Sequence, residues 1–237
     1  MRINYKTLKN QMNWLPLLAV FLVTFTACQE DEGDVVEPVP TAYVAIYNAA
    51  PNSPELDVLV DNRQIFRQPL NYTDYTQYLN FYTGERALKV NSFNASSALV
   101  DTTINFQPDQ AYSVFIADDL ADLSAVVVED NADTPAAGKA LVRMIHLSPD
   151  AQAVDLVEED GTRLFADQQF KQATDFVEVD ANTYNLMLNA TGSGDEVASI
   201  PDADFRSGGI YTVIVRGFAT PPAGNANGLS VQIISNN

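Results

Sequence analysis

The stretch AYVAIYNAAPNSPELDVLV at residues 42–60 aligns without a gap on ALVRMIHLSPDAQAVDLVE at residues 140–158. The two stretches share a proline in the middle and an aspartate six residues later, and the match continues at a spacing of about 98 residues to LSAVVVEDN and LSVQIISNN at the two ends. An internal match of this length indicates a tandem repeat. We define repeat one as residues 42–131 and repeat two as residues 140–237, joined by a linker at residues 132–139.

Each repeat consists of short runs of alternating apolar and polar residues, with turn signals about every ten residues. In repeat one these runs predict seven strands, at residues 43–48, 56–61, 76–82, 87–93, 100–106, 111–117 and 124–129. The pattern predicts an all-β chain of two tandem antiparallel β-sandwich domains of the immunoglobulin-like kind. Tyr112 and Tyr211, each at the start of a sixth strand, lie where such a sandwich has its tyrosine corner.

The start of repeat two also resembles a known family. HLSPDA at residues 146–151, followed by Val154 and Asp155 and then by Asp160 and Gly161, is similar to the start of the domain of unknown function DUF4397. Repeat one keeps only part of this motif, with NAAPN at residues 48–52 in place of its first half. The resemblance implies a secreted bacterial protein, often lipid-anchored or wall-associated, with tandem copies, and it implies no activity.

The N-terminus has the layout of a signal peptide. Residues 1–27 contain three basic residues without an acid, followed by an apolar run of about 14 residues that is shorter than the roughly 20 residues of a membrane-spanning helix. Phe25, Thr26, Ala27 and Cys28 resemble the bacterial lipobox, in which the cysteine becomes the first residue of the mature protein and carries the lipid. We therefore expect a lipoprotein anchored to a membrane through Cys28, the only cysteine of the chain.

Residues 28–41 are predicted to be an acidic tether behind the anchor. The run QEDEGD at residues 29–34 resembles the export signal of Bacteroidetes lipoproteins, which favours the outer membrane and a position facing the cell exterior. Removal of residues 1–27 takes away three of 13 basic residues and none of 31 acidic residues, so the mature net charge is −21. This charge repels nucleic acid, which we exclude as a partner.

The sequence offers little for catalysis. His146 is the only histidine, and repeat one has Asn48 at the same position, which can replace a hydrogen bond but not a proton transfer. Ser148 and Asp150 are close to His146 in sequence, but a strand that ends in a Ser-Pro-Asp turn needs polar caps for its backbone. We predict a structural role for His146 and no enzymatic activity.

A metal site is the weaker of two ligand hypotheses. Asp118, Asp119 and Asp122 crowd one predicted strand end, and clustered loop carboxylates of extracellular proteins can bind calcium. They do not have EF-hand spacing, and acidic runs are usually solvated turns. We expect no cofactor and keep these three residues as weak calcium candidates.

The repeat acts as an internal control for aromatic residues, because a ring present in both copies is expected to pack in the core. Tyr75 and Tyr82 have no ring at their positions in repeat two, where Ala173 and Asp180 stand, and they lie in a segment, residues 72–82, that is dense in aromatic residues. Flat rings beside polar groups bind sugars and peptides in many surface proteins. The two tyrosines are therefore candidate ligand-binding residues, with a packing role at the sandwich edge as the alternative.

Together these features favour a non-catalytic cell-surface lipoprotein that displays two modules for glycan or protein binding, adhesion or structural spacing. Two alternatives remain open at this point. One is a hydrolase of extracellular polymers that uses paired carboxylates. The other is an accessory subunit of an envelope complex.

Overall fold

Strands form where the sequence alternates, because alternation places one set of side chains on each face of a strand. The computed structural model describes residues 39–236, and every strand predicted in repeat one is present within it, with ends shifted by up to three residues. The strands are β1 (Thr41–Asn48), β2 (Leu56–Val60), β3 (Arg63–Gln64), β4 (Leu79–Tyr82), β5 (Gly84–Ser92), β6 (Ala98–Phe106), β7 (Ala111–Ala117) and β8 (Ser124–Glu129).

Repeat two has the same series of strands. They are β9 (Lys139–His146), β10 (Val154–Glu158), β11 (Arg163–Gln168), β12 (Val177–Asp180), β13 (Asn182–Ala190), β14 (Glu196–Phe205), β15 (Ile210–Arg216) and β16 (Ser230–Ser235). A 3-10 turn at Leu120–Asp122 adds one short helical element. In the part of the chain that the structure describes, no helix has the length and apolar character that crossing a membrane requires.

The strands of each repeat form two four-stranded sheets in the same order. In repeat one the orders are β4-β1-β7-β8, which we call the inner sheet, and β3-β2-β5-β6, the outer sheet. In repeat two the inner sheet is β12-β9-β15-β16 and the outer sheet is β11-β10-β13-β14. Each strand of repeat two therefore occupies the place of the strand eight positions earlier in the chain.

The expectation of purely antiparallel sheets is wrong in one respect. Strands β1 and β7 pair in parallel, with Val44 opposite Tyr112, and β9 and β15 do the same, with Val142 opposite Tyr211. Parallel neighbours need a long crossover connection, and here strands β2 to β6, or β10 to β14, supply it. Period-two alternation does not reveal strand direction, so the sequence pattern contains no signal for this pair.

Each repeat has its own hydrophobic core between its two sheets. In repeat one, Val44 and Val114 of the inner sheet and Val58 and Val90 of the outer sheet belong to one buried cluster. An equivalent cluster fills repeat two.

The two predicted tyrosine corners have matching hydrogen bonds. The Tyr112 hydroxyl accepts the backbone N–H of Gln107 at 3.1 Å, and the Tyr211 hydroxyl accepts that of Arg206 at 3.1 Å. In both repeats the tyrosine thus fixes the chain five residues upstream to the start of a central strand.

A third core lies between the repeats and was not expected from the sequence. Tyr47 and Phe115 on the far face of one inner sheet form a single buried cluster with Ile145, Ile214 and Ile234 of the other. Full burial of such a side chain stabilises a fold by about 1.5–3 kcal/mol. The two repeats consequently belong to one compact unit.

A buried polar network crosses the same interface. The Arg143 guanidinium lies 2.6 Å from a carboxylate oxygen of Asp130 and donates to the hydroxyls of Ser113 at 3.0 Å and Thr212 at 2.9 Å. Asp130 also accepts hydrogen bonds from Ser113 at 2.8 Å and from Tyr78 at 2.6 Å. Burial, together with the neighbouring Asp130 carboxylate, raises the pKa of Tyr78 to about 12, so this phenol stays protonated and can donate.

The loop between β15 and β16, which the sequence shows as an insertion in repeat two only, also touches repeat one. Asn225 and Asn227 donate their side-chain amides to the carbonyl oxygen of Pro51, at 3.0 and 2.6 Å. The start of the loop is held by Asp150, which accepts the backbone N–H groups of Ala219 and Thr220. The insertion therefore extends the contact between the repeats.

Candidate binding groove in repeat one

His146 caps the end of β9 and is fully buried. Its Nδ1 atom accepts the backbone N–H of Ser148 at 3.2 Å, so Nε2 carries the hydrogen and donates to the carbonyl oxygen of Gln152 at 3.1 Å. In repeat one, Asn48 accepts the N–H of Ala50 in the same way. Burial lowers the pKa of His146 below its usual value, which favours the neutral ring that this cap needs. The predicted structural role agrees with this geometry.

The aspartate that the two repeats share also makes hydrogen bonds within each repeat. Asp155 accepts the N–H of Asp167 and the hydroxyl of Thr191, both at 2.7 Å, and pairs with Arg163 at 3.3 Å. In repeat one, Asp57 accepts a hydrogen bond from the side-chain amide of Gln64, the residue that aligns with Arg163. The motif residues thus close hairpins of the outer sheet.

The three calcium candidates do not form a metal site. Asp118 pairs with Lys171 of repeat two at 2.6 Å, and Asp119 accepts the N–H of Ala121 as the cap of the 3-10 turn. Across residues 39–236, no group of three or more His, Cys, Asp or Glu side chains is placed to hold a metal ion. The calcium hypothesis for Asp118, Asp119 and Asp122 is therefore not supported.

An open groove lies along one edge of repeat one because the strand at that edge is very short. Strand β3 has only two residues, whereas its counterpart β11 has six and extends along the outer sheet. The hairpin before β3 turns through Asp61 and Asn62, both with positive φ, as a two-residue turn of this kind requires. The chain after β3 then runs as a loop from residue 65 to residue 78, which leaves the space between β3 and β4 uncovered.

Tyr82 borders this space, which we call the Tyr82 groove. Its ring is 60% exposed, and the groove has a volume of about 570 Å³, with Ile65, Leu79, Arg63 and Arg86 among its lining residues. This volume is typical of small-ligand sites, which combine apolar walls with a few polar groups. An exposed ring beside cations and apolar surface can hold the face of a sugar.

Arg86 fixes the shape of the Tyr82 groove. Its guanidinium pairs with Asp61 at 3.1 Å and donates to the carbonyl oxygens of Tyr82, at 3.1 Å, and of Thr83. Asp61 in turn accepts the N–H of Ala87 at 3.1 Å. The β2–β3 hairpin and the turn after β4 are thereby tied together before any ligand arrives.

Tyr75 borders a second, adjoining groove of about 440 Å³, the Tyr75 groove, which shares Ile65 and Leu79 with the first. Tyr75 is 42% exposed, and its ring stacks on Tyr47 of the inter-repeat core at 6.2 Å between centroids. The structure therefore places the two predicted tyrosines on one edge of repeat one but in separate grooves. Tyr75 also packs against the inter-repeat core, whereas the packing alternative placed it at the edge of the sandwich.

Two further residues of this edge, Arg63 and Arg67, were not selected from the sequence. Both side chains are exposed. The comparison between repeats that selected the tyrosines also selects them, since Thr162 and Ala166 occupy their aligned positions. The anchor residue Cys28 and the start of the tether lie outside the described residues, so the lipobox and export-signal predictions stay predictions.

The family comparison agrees with the motif at the start of each repeat. The family model described as domain of unknown function DUF4397 matches residues 42–157. The matched stretch covers repeat one and continues through β9 and into β10 of repeat two. A search of curated proteins finds no match for the chain.

Several solved structures show distant similarity. One is a family 26 carbohydrate-binding module from Eubacterium rectale in complex with maltoheptaose, 12% identical, covering 82% of this chain and 97% of that one, with a TM-score of 0.27. A streptococcal virulence factor that binds α-glucan is 12% identical over 74% of this chain and 93% of its own, with a TM-score of 0.25. A DUF1812 putative polysaccharide-binding protein from Bacteroides thetaiotaomicron is 12% identical over 83% and 96%, with a TM-score of 0.20. TM-scores this low establish neither a common fold nor a common ligand.

Proposed function

We propose that the protein is a non-catalytic, lipid-anchored surface protein that binds a glycan in the Tyr82 groove of repeat one. The observation that carries the proposal is the 60% exposed ring of Tyr82 beside a pre-formed groove of about 570 Å³. The Arg86 contacts hold the walls in place without ligand, which reduces the ordering cost of binding. Repeat two serves as the structural partner that covers the inner sheet of repeat one.

The proposal also covers the cellular location of the protein and the type of its two domains. Cys28 would hold the protein on the outer face of the outer membrane, with residues 29–41 as a tether, and a Cys28→Ser form should leave the membrane fraction. Repeat two would be a second DUF4397 copy, supported by its identical strand order. The tyrosine hydrogen bonds support an immunoglobulin-like classification of both sandwiches.

The binding test uses the chain from residue 29 onward, which includes the whole compact unit. We expect Tyr82→Ala to lower retention on a glycan array by roughly five- to tenfold, because stacking on one aromatic ring contributes about 1–1.4 kcal/mol. Tyr75→Ala should have a smaller effect. Tyr43→Ala is the matched control, since Tyr43 is 41% exposed on β1 but lines neither groove.

Retention that is equal in Tyr82→Ala and in the parent protein would contradict the groove assignment. A thermal melt of each variant separates a binding defect from unfolding. Loss of retention in Tyr43→Ala as well would point to a different surface.

A further inference from the structure

Within residues 39–236, nearly all basic side chains have an ion pair or a hydrogen bond. Ten Lys and Arg lie within residues 39–236, and seven of them form ion pairs: Arg86, Lys89, Lys139, Arg143, Arg163, Lys171 and Arg206. An eighth, Arg216, donates to the Tyr72 hydroxyl at 3.0 Å and lies over its ring. Arg63 and Arg67 are the two basic residues of this part of the chain whose side chains have no ion pair or hydrogen bond.

Both of these arginines lie on the edge that carries the grooves. Arg63 lines the Tyr82 groove, and Arg67 lies between Phe66 and Gln68, which line the Tyr75 groove. Of the nearby carboxylates, Asp61 pairs with Arg86, whereas Asp74 accepts only the neutral amide groups of Asn71 and keeps its negative charge. The edge therefore presents two unpaired positive charges, and the Tyr82 groove has no unpaired acid among its lining side chains.

Repeat two shows that the sandwich itself does not require these charges. Thr162 and Ala166 replace them, and the arginine that does occur there, Arg163, is paired with Asp155. The position of Tyr82 is taken by Asp180, which pairs with Lys139 at 2.9 Å. Repeat one thus combines an exposed ring with free guanidinium groups where repeat two has a neutralised acid.

From this combination we infer that the ligand of repeat one is an acidic polysaccharide, with a sugar ring on Tyr82 and its carboxylate or sulfate groups on Arg63 and Arg67. Guanidinium groups bind carboxylate and sulfate oxygens through paired, charge-assisted hydrogen bonds. The net charge of the protein opposes such a ligand at long range, but at physiological salt this repulsion is largely screened beyond about 8 Å, while pairs in direct contact are screened less. The inference rests on the proposed function and specifies its ligand class.

The test compares charged polymers with uncharged counterparts in affinity gels at physiological salt. The probes are polygalacturonate and its carboxyl-reduced form, and dextran sulfate and dextran. The variant is Arg63→Gln/Arg67→Gln. Its control is Lys89→Gln/Arg206→Gln, which removes the same charge from surface ion pairs outside the grooves.

We expect at least one anionic polymer to bind roughly tenfold more tightly than its uncharged counterpart and to lose that advantage in Arg63→Gln/Arg67→Gln, but not in the control variant. The polygalacturonate and dextran sulfate arms distinguish carboxylate from sulfate. Equal affinity for charged and uncharged polymers, or equal loss in both variants, would overturn the inference. If Tyr82→Ala still lowers glycan-array retention in that case, the proposed function stands and only the acidic ligand class fails; if it does not, both fail.

Discussion

Replacing Asp130 with alanine should be among the most damaging single substitutions in the chain. Arg143 and Asp130 have side-chain exposures of only 1% and 3%, and the pair joins repeat two to repeat one. The substitution leaves a buried guanidinium that cannot lose its proton. Its remaining partners are the hydroxyls of Ser113 and Thr212 and the ring of Phe176, 4.6 Å away.

The expected cost follows from this environment. Breaking a buried ion pair by removing one partner costs about 3–5 kcal/mol of unfolding free energy. For a unit of this size, that corresponds to a fall in Tm on the order of 6–20 °C. Arg143→Met should cost less, because the Asp130 carboxylate keeps its hydrogen bonds from Ser113 and Tyr78. The double variant Arg143→Met/Asp130→Ala should recover part of the loss, since no buried charge remains.

Urea unfolding of the chain from residue 29 onward gives the free energy of unfolding of all three variants. The matched control is Asp101→Ala, which breaks the exposed pair with Lys89 and should cost less than about 1 kcal/mol. An Asp130→Ala cost as small as that of Asp101→Ala would refute the reasoning. A double variant less stable than Asp130→Ala would refute it too.

The remaining predictions concern one buried histidine and one glycine. The pKa of His146 is lower in the folded protein than its ordinary 6.5, so its contribution to stability is complete above that value and should be lost as the pH falls below it. His146→Asn, which copies repeat one, should therefore make the urea midpoint less dependent on pH in this range. An unchanged pH dependence would contradict the assignment. Gly217→Ala should lower the melting temperature more than Gly224→Ala. Both glycines have φ of +85°, but a Cβ at Gly217 would lie 2.1 Å from the carbonyl oxygen of Gly228, whereas a Cβ at Gly224 would have no atom within 4 Å. Equal melting temperatures for the two glycine variants would show that the loop yields at no cost.

The strands and the repeat could be predicted because they depend on local pattern. The alternation in Thr41–Asn48 sets which side chains face the repeat-one core, and the copy at Lys139–His146 repeats it. The burial of the opposite face of β1 could not be predicted in this way. Alternation places Tyr47 on the face of β1 opposite the repeat-one core, and it is only 2% exposed because repeat two covers that face.

The candidate site could be predicted only in part, for a similar reason. Tyr82 and Tyr75 were identified because residue identity differs between the repeats, which the sequence shows directly. Their separation into two grooves depends on the two-residue length of β3, and alternation does not set strand ends that closely. Arg63 becomes a candidate only when the ion-pair partners of the other basic residues are known, and many of those partners are distant in sequence from the basic residue that they contact.

The packing of the two inner sheets also limits how many repeats can assemble in this way. Equivalent faces meet, since Phe115 and Ile214 hold the same place in their respective strands β7 and β15 and share one cluster. A like-to-like contact of this kind is self-terminating, as in a symmetric dimer, because each partner uses up the face that makes the contact. A third copy of the domain would find no vacant inner sheet on this pair, so further copies would have to associate as pairs of their own.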